Sequence, residues 1–412
     1  MNLICKLSDP AVWSAFYAYK IEGGHLSRRE QTDLEDFIAA EGYRGPVEAI
    51  LRGDGFAPPR RRCIRKLHSQ KKRIVYLYKR EENYLLKLLT WLLTKRYDGI
   101  FADNLYSFRR HRSAKDAIRK LIHSPRIDEL WAYKVDIHDY FNSVPTLRLL
   151  PLLKQTLADE PEIYRFLEKL LTDPTVEENG RLIAASKGIM AGTPTSTFLA
   201  NLYLSEMDHY FAERGILYAR YSDDIIVFAQ SEEQLEEQIA VIARYLQSAG
   251  LEVNPSKECR YAPGEQWTFL GIAYQKGIVD VSPISLEKLK GKMRRKTRAL
   301  MRWKAKKGAE GIHAAKAFVK AMNRKLYDND AEHELTWTRW YFPLINTTKS
   351  LEEIDRYSGE CIRYLATGKR TKGRFNFRYE EMKALGYISL VNRYYRHQSE
   401  GAQSSEAQEK SL

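Results

Sequence analysis

Residues 220–229 read RYSDDIIVFA, and the reading of this stretch decides the fold. Two adjacent acids, Asp223 and Asp224, stand between an aromatic approach (Tyr218, Tyr221) and the apolar run Ile225, Ile226, Val227 and Phe228. Ser and Asp are turn residues, and Asp tolerates strained backbone. The run that follows has the pattern of a buried strand. The stretch therefore reads as a hairpin whose tip carries two like charges. Such a tip is either an ordinary polar turn or a place where carboxylate repulsion is relieved by divalent cations, which take hard oxygen ligands. These ten residues alone leave both readings open.

A third acid lies upstream. In WAYKVDIHDYFNS (131–143), Asp136 stands where a buried apolar strand ends. A carboxylate there, beside an Asp-Asp hairpin, can complete a site for two cations about 3.5–4 Å apart, which clamp the attacking and leaving oxygens of phosphoryl transfer. Between the acids runs GIMAGTPTSTFLANLYL (188–204), a Gly-rich turn entering a helix, which can lie against a flat base and sugar.

Charge and composition set the partners. The chain has 412 residues, 44% hydrophobic and 29% charged, with 26 Tyr and a net charge of +14. That length allows about two or three domains, and the charge favours polyanions. From Lys288 to Lys307, KLKGKMRRKTRALMRWKAKK holds eleven Lys or Arg and no acid. Leu289, Met293, Leu300 and Trp303 fall on one helical stripe, leaving a basic face. A solvated helix normally mixes signs; this one does not, which favours nucleic acid. GKRTKGRFNFRY (368–379) interleaves cations with Phe375, Phe377 and Tyr379, a pattern that suits phosphates on cations and bases on rings. The four cysteines form no CxxC pair, and the nine histidines show no HxH or HExxH spacing. These are reduced thiols rather than a disulfide frame or zinc site. The start lacks the blocks of a signal peptide, and the most apolar stretch, YLLKLLTWLL, is short and broken by Lys87. The expectation is a soluble cytoplasmic protein with no membrane partner.

Along the chain, residues 1–57 read as helical and 58–125 as a basic lead, a strand in IVYLY and a helix through EENYLLKLLTWLL. Residues 130–275 alternate strands and helices. ENGR carries an Asn-Gly hairpin signal, TSTFLANLYLSEMDHYFAER reads as one long amphipathic helix, and EEQLEEQIAVIARYLQSAG as a helix closed by a glycine. WTFLGIAY reads as a strand. Residues 283–396 read as mostly helical, and the polar tail 397–412 as disordered.

KVDIHDYF, GIMAGTPTSTFLANLYL, ARYSDDIIVFA, GLEVNPSKE and WTFLGI stand in the order of the palm motifs A to E of reverse transcriptases. They resemble the bacterial lineage that includes group II intron proteins and retron enzymes. KKRIVYLY followed by YSFRRHRSAKDAI is similar to that lineage's fingers, and RYEEMKALGYISLVNRYY resembles the C-termini of phage-defence reverse transcriptases. The resemblance covers about residues 60–345. It implies an α+β right-hand polymerase fold: an N-terminal helical extension (1–57), fingers (58–129), a palm with an antiparallel sheet (130–280, with a fingers segment at about 150–187), a helical thumb (281–345), a basic helical C-terminal region (346–396) and the tail.

The resemblance also implies roles. Asp136 and Asp223 hold two Mg²⁺ ions (Mn²⁺ as substitute), with the Ile137 carbonyl beside them and Asp224 in support. The backbone of Ile137, His138, Asp139 and Tyr140 faces the incoming deoxynucleoside triphosphate. Phe141 is the steric gate against a ribose 2′-OH, or else a core aromatic. Lys72 and Arg73 grip the triphosphate, or else belong to a basic surface. Lys257 protonates the leaving pyrophosphate, or else is a loop lysine. Ala191 and Gly192 line the nucleotide site, and Phe269, Leu270 and Gly271 form the primer grip. Arg109, Arg112, Lys292, Arg294, Arg295, Arg298, Lys369, Arg370 and Arg374 contact nucleic acid, the basic helix lying along an RNA–DNA duplex. One departure stands out: the family's GxPQG is here GIMAG, with Met190 and Ala191 for Pro and Gln. The functions implied are an RNA-directed DNA polymerase copying a structured non-coding RNA in antiviral defence, a maturase-type protein, a non-templated or protein-primed polymerase, or an inactive RNA-binding scaffold.

Overall fold

A computed structural model describes residues 2–23, 26–65, 72–327 and 336–409. The chain divides into two compact units, Met1–Glu265 and Gln266–Leu412.

The first unit opens with the helices Leu3–Leu7, Pro10–Glu22, Arg28–Ala39 and Arg44–Leu51. The first three start on a side-chain cap. Asp9 caps the second ahead of Pro10, and Ser27 and Glu30 form a reciprocal capping box on the third. Trp13 is fully buried among them, stacked on Tyr43 at 5.2 Å, with its indole N–H donating to the Leu7 carbonyl at 2.9 Å. These helices pack on the apolar helix Arg80–Tyr97.

Among the described residues of this unit the strands are β1 Arg60–Arg65, β2 Lys72–Leu77, β3 Trp131–Asp136, β4 Thr175–Glu178, β5 Arg181–Ala184, β6 Tyr218–Tyr221, β7 Asp224–Ala229 and β8 Cys259–Tyr261. One sheet has the order β2-β1-β4-β5. The β4–β5 turn is the expected Asn-Gly hairpin, with φ of +52° at Asn179 and +80° at Gly180. The other sheet, β6-β7-β3-β8, is antiparallel throughout. Its central strands bury both faces, and helix Glu232–Ser248 packs on β7 and β3. One continuous core runs from Leu3 to Leu251.

The second unit begins with the antiparallel sheet β9 Trp267–Phe269, β10 Ile272–Gln275 and β11 Ile278–Val281. Helices Pro283–Lys307, Gly311–Leu326 and Lys349–Thr367 pack on one another, and Leu390–Glu409 packs on the last. Among the described residues no helix is long and apolar enough to cross a membrane. All four cysteines are free.

The α+β class with antiparallel sheets is as expected, and four local readings change. The basic lead is partly strand: β1 pairs along its length with β2. The long helix after the Gly-rich turn is two, Ser196–Tyr203 and Ser205–Glu213, interrupted at Leu204, whose φ of −112° leaves the helical range. WTFLGIAY is not one strand but the β9–β10 hairpin, turned at Leu270 and Gly271 with φ of +47° and +87°. The tail expected to be disordered continues as helix to Glu409. That helix starts on a firm anchor: Asp355 accepts from the Leu390 and Val391 N–H groups, and the Tyr387 and Ser389 hydroxyls donate to it. With the first turn fixed, extension through Gln, Glu and Ala costs little.

Candidate active site

The β-register gathers the acids. β3 and β7 pair so that Asp136 lies directly opposite Asp224. One step on, the Ile137 N–H donates to the Asp223 carbonyl at 3.0 Å. Like charges facing across strands oppose folding, so the pairing must be held by other forces. The apolar pairs Val135–Ile225 and Tyr133–Val227 behind the acids supply one.

The turn itself supplies another. Only two residues, Ser222 and Asp223, separate the paired Tyr221 and Asp224. Ser222 has φ +61°, a conformation that favours glycine at the start of a tight hairpin turn. Such strain persists only where surroundings fix it. Here the Ser222 N–H donates to Ser107 Oγ at 2.9 Å and its carbonyl accepts from Arg220 at 3.3 Å. Arg220 is fully buried and paired with the equally buried Asp208, which also accepts from the Tyr218 hydroxyl at 3.0 Å. Asn201 closes the frame by donating to the Ser107 carbonyl at 2.7 Å. Arg220, Asp208, Ser107 and Asn201 escaped the sequence reading. The available signal was a lone cation or acid inside an apolar element, a residue that is rarely buried unless paired.

The acids sit in low-dielectric surroundings. Asp136 is 4% exposed. Burial, then the nearby Asp136, raises the Asp223 carboxyl above the usual carboxylate range, against the pull of Lys257 and Arg73. Burial, then Asp223, pushes Asp224 up to about 6. The Lys257 ammonium forms an ion pair with Asp136 Oδ2. It comes from the turn Pro255–Lys257, set beside β3 where the Asn254 N–H donates to the Asp136 carbonyl at 2.7 Å. Among the described residues no three His, Cys, Asp or Glu side chains are gathered into a ready metal cage. The donor chemistry still fits a divalent cation: three hard carboxylates whose mutual repulsion is only partly answered by one ammonium.

The flanking segments build a floor. After Asp136 the chain turns through exposed His138 and Asp139, with Asp139 at φ +42°. Tyr140 points inward, its hydroxyl donating to the Ala200 carbonyl at 2.6 Å, so only its backbone faces the turn. Phe141 is half-buried, edge-on to Phe108 with centroids 6.5 Å apart. Its carbonyl accepts from the Ile189 N–H at 2.8 Å, tying the Gly-rich turn to the strand end. Gly188 is required there: a Cβ would meet the Phe141 carbonyl oxygen at 2.5 Å. Met190, buried, adopts φ +60°. Ala191 is buried, and its carbonyl accepts from the Tyr76 N–H of β2 at 2.8 Å. Gly192 has φ +96° and abuts Val75. The departure from the family pattern thus lies in a loop clamped to β2. Lys187, at the head of this loop, is buried, and burial lowers its ammonium pKa. On β2 Arg73 is exposed; the Lys72 side chain lies outside what the structure describes.

Two expected nucleic-acid contacts are otherwise engaged. The Arg109 guanidinium is 5% exposed, held by both Asp98 carboxylate oxygens at 2.9 Å and the Ala102 carbonyl at 2.7 Å. Arg112 is paired with Asp103. Charge counting along the sequence cannot see such partners.

In the second unit Phe269 is fully buried, and Leu270 and Gly271 form the β9–β10 turn. On the Pro283–Lys307 helix, Leu286, Leu289, Met293, Thr297 and Leu300 are buried, whereas Trp303 is 41% exposed and off that stripe. Arg294, Arg295 and Arg298 are exposed; Lys292 is half-buried, its ammonium pKa lowered by burial and then by Lys325. Lys369 and Arg370 are exposed, and Arg374 lies over the Phe375 ring at 4.7 Å.

Residues 64–274 match the family described as reverse transcriptase (RNA-dependent DNA polymerase). The chain belongs to the reverse transcriptase family. It is 30% identical over 223 residues to the retron Mx65 reverse transcriptase of Myxococcus xanthus, covering 52% of this chain and 48% of that protein. The retron Ec86 reverse transcriptase of Escherichia coli is 23% identical over 231 residues, 55% of this chain and 65% of its own length. The group II intron-encoded protein LtrA of Lactococcus lactis subsp. cremoris is 25% identical over 198 residues, 47% of this chain and 32% of its own. The chain thus spans less than two thirds of each of these relatives. Among solved structures, apo telomerase from Candida tropicalis aligns with a TM-score of 0.48 at 14% identity, covering 84% of this chain and 64% of that one.

Proposed function

We propose that this reverse transcriptase-family chain is an RNA-directed DNA polymerase. The observation that carries the reading is the register that sets Asp136 opposite Asp224 and beside Asp223 on strands fixed from behind. On this reading Asp136 and Asp223 hold two Mg²⁺ ions, with Asp224 in support and the Ile137 carbonyl near. When bound, the ions would lower the pKa of the primer 3′-OH and offset the negative charge of the triphosphate. Lys257, paired with Asp136 here, would be released once a cation took that carboxylate and could then give its proton to the leaving pyrophosphate. Phe141 lies under the sugar and excludes a 2′-OH by contact. Arg73, Lys72 and the backbone of residues 137–140 hold the triphosphate, and the clamped loop at Ala191 and Gly192 backs it. The Phe269–Gly271 turn holds the primer end, within the fingers, palm and thumb boundaries given above.

The template proposed is a dedicated structured non-coding RNA, and the setting an antiviral defence system in the cytoplasm. The match of RYEEMKALGYISLVNRYY and the likeness to proteins named retron reverse transcriptases support this. Met190 and Ala191 favour one second reading, a non-templated or protein-primed mode, because the side chain that seats a templated nucleotide in relatives is missing here.

The test is primer extension by the purified chain on an RNA template with dNTPs and Mg²⁺, with its co-purifying nucleic acid sequenced. Asp136→Asn or Asp223→Asn is expected to lower extension at least about a hundredfold, the scale for losing one preorganised electrostatic group, while RNA binding persists. One defined RNA with complementary DNA supports the first reading. Homopolymer or random DNA joined to protein supports the second. Full extension by either variant overturns both.

A further inference from the structure

A second basic cleft lies away from the acids. The helices Pro10–Glu22 and Arg80–Tyr97, the loop at 108–110, Pro194 and the first turn of helix Ser196–Tyr203 line a cleft of about 310 Å³, at the small end of ligand cavities. Lys20 and Lys87 both line it, no acid does, and neither lysine forms an ion pair among the described residues. Burial lowers both ammoniums, Lys87 lowers Lys20 further, and Glu30, outside the lining, acts on Lys87 in the opposite sense. Two half-buried cations set against each other oppose folding; Glu30 eases this at Lys87 alone, and an anion in the cleft would ease it at both.

The rest of the lining is aromatic. Tyr19 and Trp91 face each other with centroids 5.7 Å apart, and the buried Trp91 indole N–H has no acceptor. Phe108 adds a third ring. It sits at φ +55°, a strained conformation for a bulky residue, and the residue is 39% exposed. Strain of this kind gathers at functional sites.

We propose that this cleft binds a nucleotide, its phosphate on Lys20 and Lys87 and its base against Tyr19, Trp91 and Phe108, apart from the place of the incoming triphosphate. The same chemistry is offered by a free mononucleotide and by one unit of a single strand, since stacking is sequence-tolerant. The Phe108 ring also neighbours those of Phe141 and Tyr221, with centroids 6.5 and 6.2 Å apart, so an occupant lies one ring from the candidate active site.

The experiment uses the full chain in EDTA, which keeps metal-dependent triphosphate binding silent. Affinity for AMP and for a short oligo(dA) is measured by tryptophan fluorescence and by thermal shift, for wild type, for Lys20→Gln/Lys87→Gln and for Lys20→Arg/Lys87→Arg. The glutamine variant is expected to lose about tenfold or more, having lost two charge-assisted contacts, and the arginine variant to retain binding. Without a probe the glutamine variant should melt no lower than wild type, because a repulsion has been removed. Loss of AMP binding identifies a free nucleotide as occupant; loss confined to oligo(dA) identifies a strand. Undiminished binding of both probes overturns the proposal. So does a lower melting temperature without probe, which makes the lysines props of the fold. Asp223→Asn separates this outcome from the polymerase reading: its extension reports on the acids alone, and its probe binding should match wild type.

Discussion

The acids Asp136, Asp223 and Asp224 and the cations of the Pro283–Lys307 helix are both clusters of like charge, but the first is buried or half-buried and most of the second faces solvent. Burial makes the acids depend on everything around them. Their register, the strained Ser222 and the Asp208–Arg220 pair must all hold. The cations need only a helix whose other face carries Leu286, Leu289, Met293 and Leu300. Each exposed charge there is screened by water and salt. A buried cluster fixes positions, as bond-making chemistry requires, whereas an exposed one supplies charge density, as holding a polymer requires. Changes beneath the acids should therefore be large and coupled, and changes on the helix small and additive.

The largest effect is expected under the turn. Asp208→Ala leaves Arg220 as an uncompensated buried charge, and breaking such a pair costs about 3–5 kcal/mol. Urea unfolding should show this loss. Replacing both partners with apolar residues of similar volume, Asp208→Leu with Arg220→Met, should restore most of the stability. It should not restore primer extension, because the Ser222 carbonyl then lacks its donor. A single variant as stable as wild type would mean that the turn holds itself.

A smaller effect follows from the acids' own charge. Folding raises the Asp224 carboxyl from its ordinary 3.8 to about 6, so ionisation opposes folding. The cost is fully present above pH 6 and fades as pH falls toward 3.8. In metal-free protein Asp224→Asn should therefore raise stability at pH 8, by about 1–3 kcal/mol given coupling to Asp223. The gain should shrink as pH is lowered through 6, and adding Mg²⁺ should shrink it by stabilising wild type. A gain that does not vary with pH would show that the carboxylate is not strained by burial.

The same contrast separates what was legible in the sequence from what was not. The strand ending at Asp136, the hairpin at Asp223 and the turn at Asn179–Gly180 follow from local periodicity and turn chemistry, and all formed as read. β1 was missed because RRRCIR has no apolar alternation; its strand character comes from pairing with β2 and, by one residue, with β4. Asp208 and Arg220 were missed because burial is a tertiary property, twelve residues separating two groups that touch. Arg109 and Arg112 were read as free cations because Asp98 and Asp103 carry no local sign of pairing with them. The helical stripe of the basic segment was legible except at Trp303, which rotates past the packed face.

The smallest effects belong to that helix, and their additivity tests the comparison from its other side. Arg294, Arg295 and Arg298 are exposed on a segment that holds eleven cations and no acid of its own; Glu287 and Glu353 pair with Lys290, and a polyanion alongside would answer further charge. If a template–primer duplex lies there, each phosphate contact releases condensed counterion. Every single Arg→Gln change should then lower the slope of log affinity against log salt by about 0.9, and the triple change by about 2 to 3. Unrelated duplex sequences should respond alike, because phosphate contacts carry no base information. High enzyme and low salt should restore extension, since the acids are untouched. Equal steps would mark the helix as a polyelectrolyte surface, unlike the coupled pair beneath the turn. A triple variant that keeps the wild-type slope would remove the helix from the duplex and assign its basic face to a folded RNA or a protein neighbour.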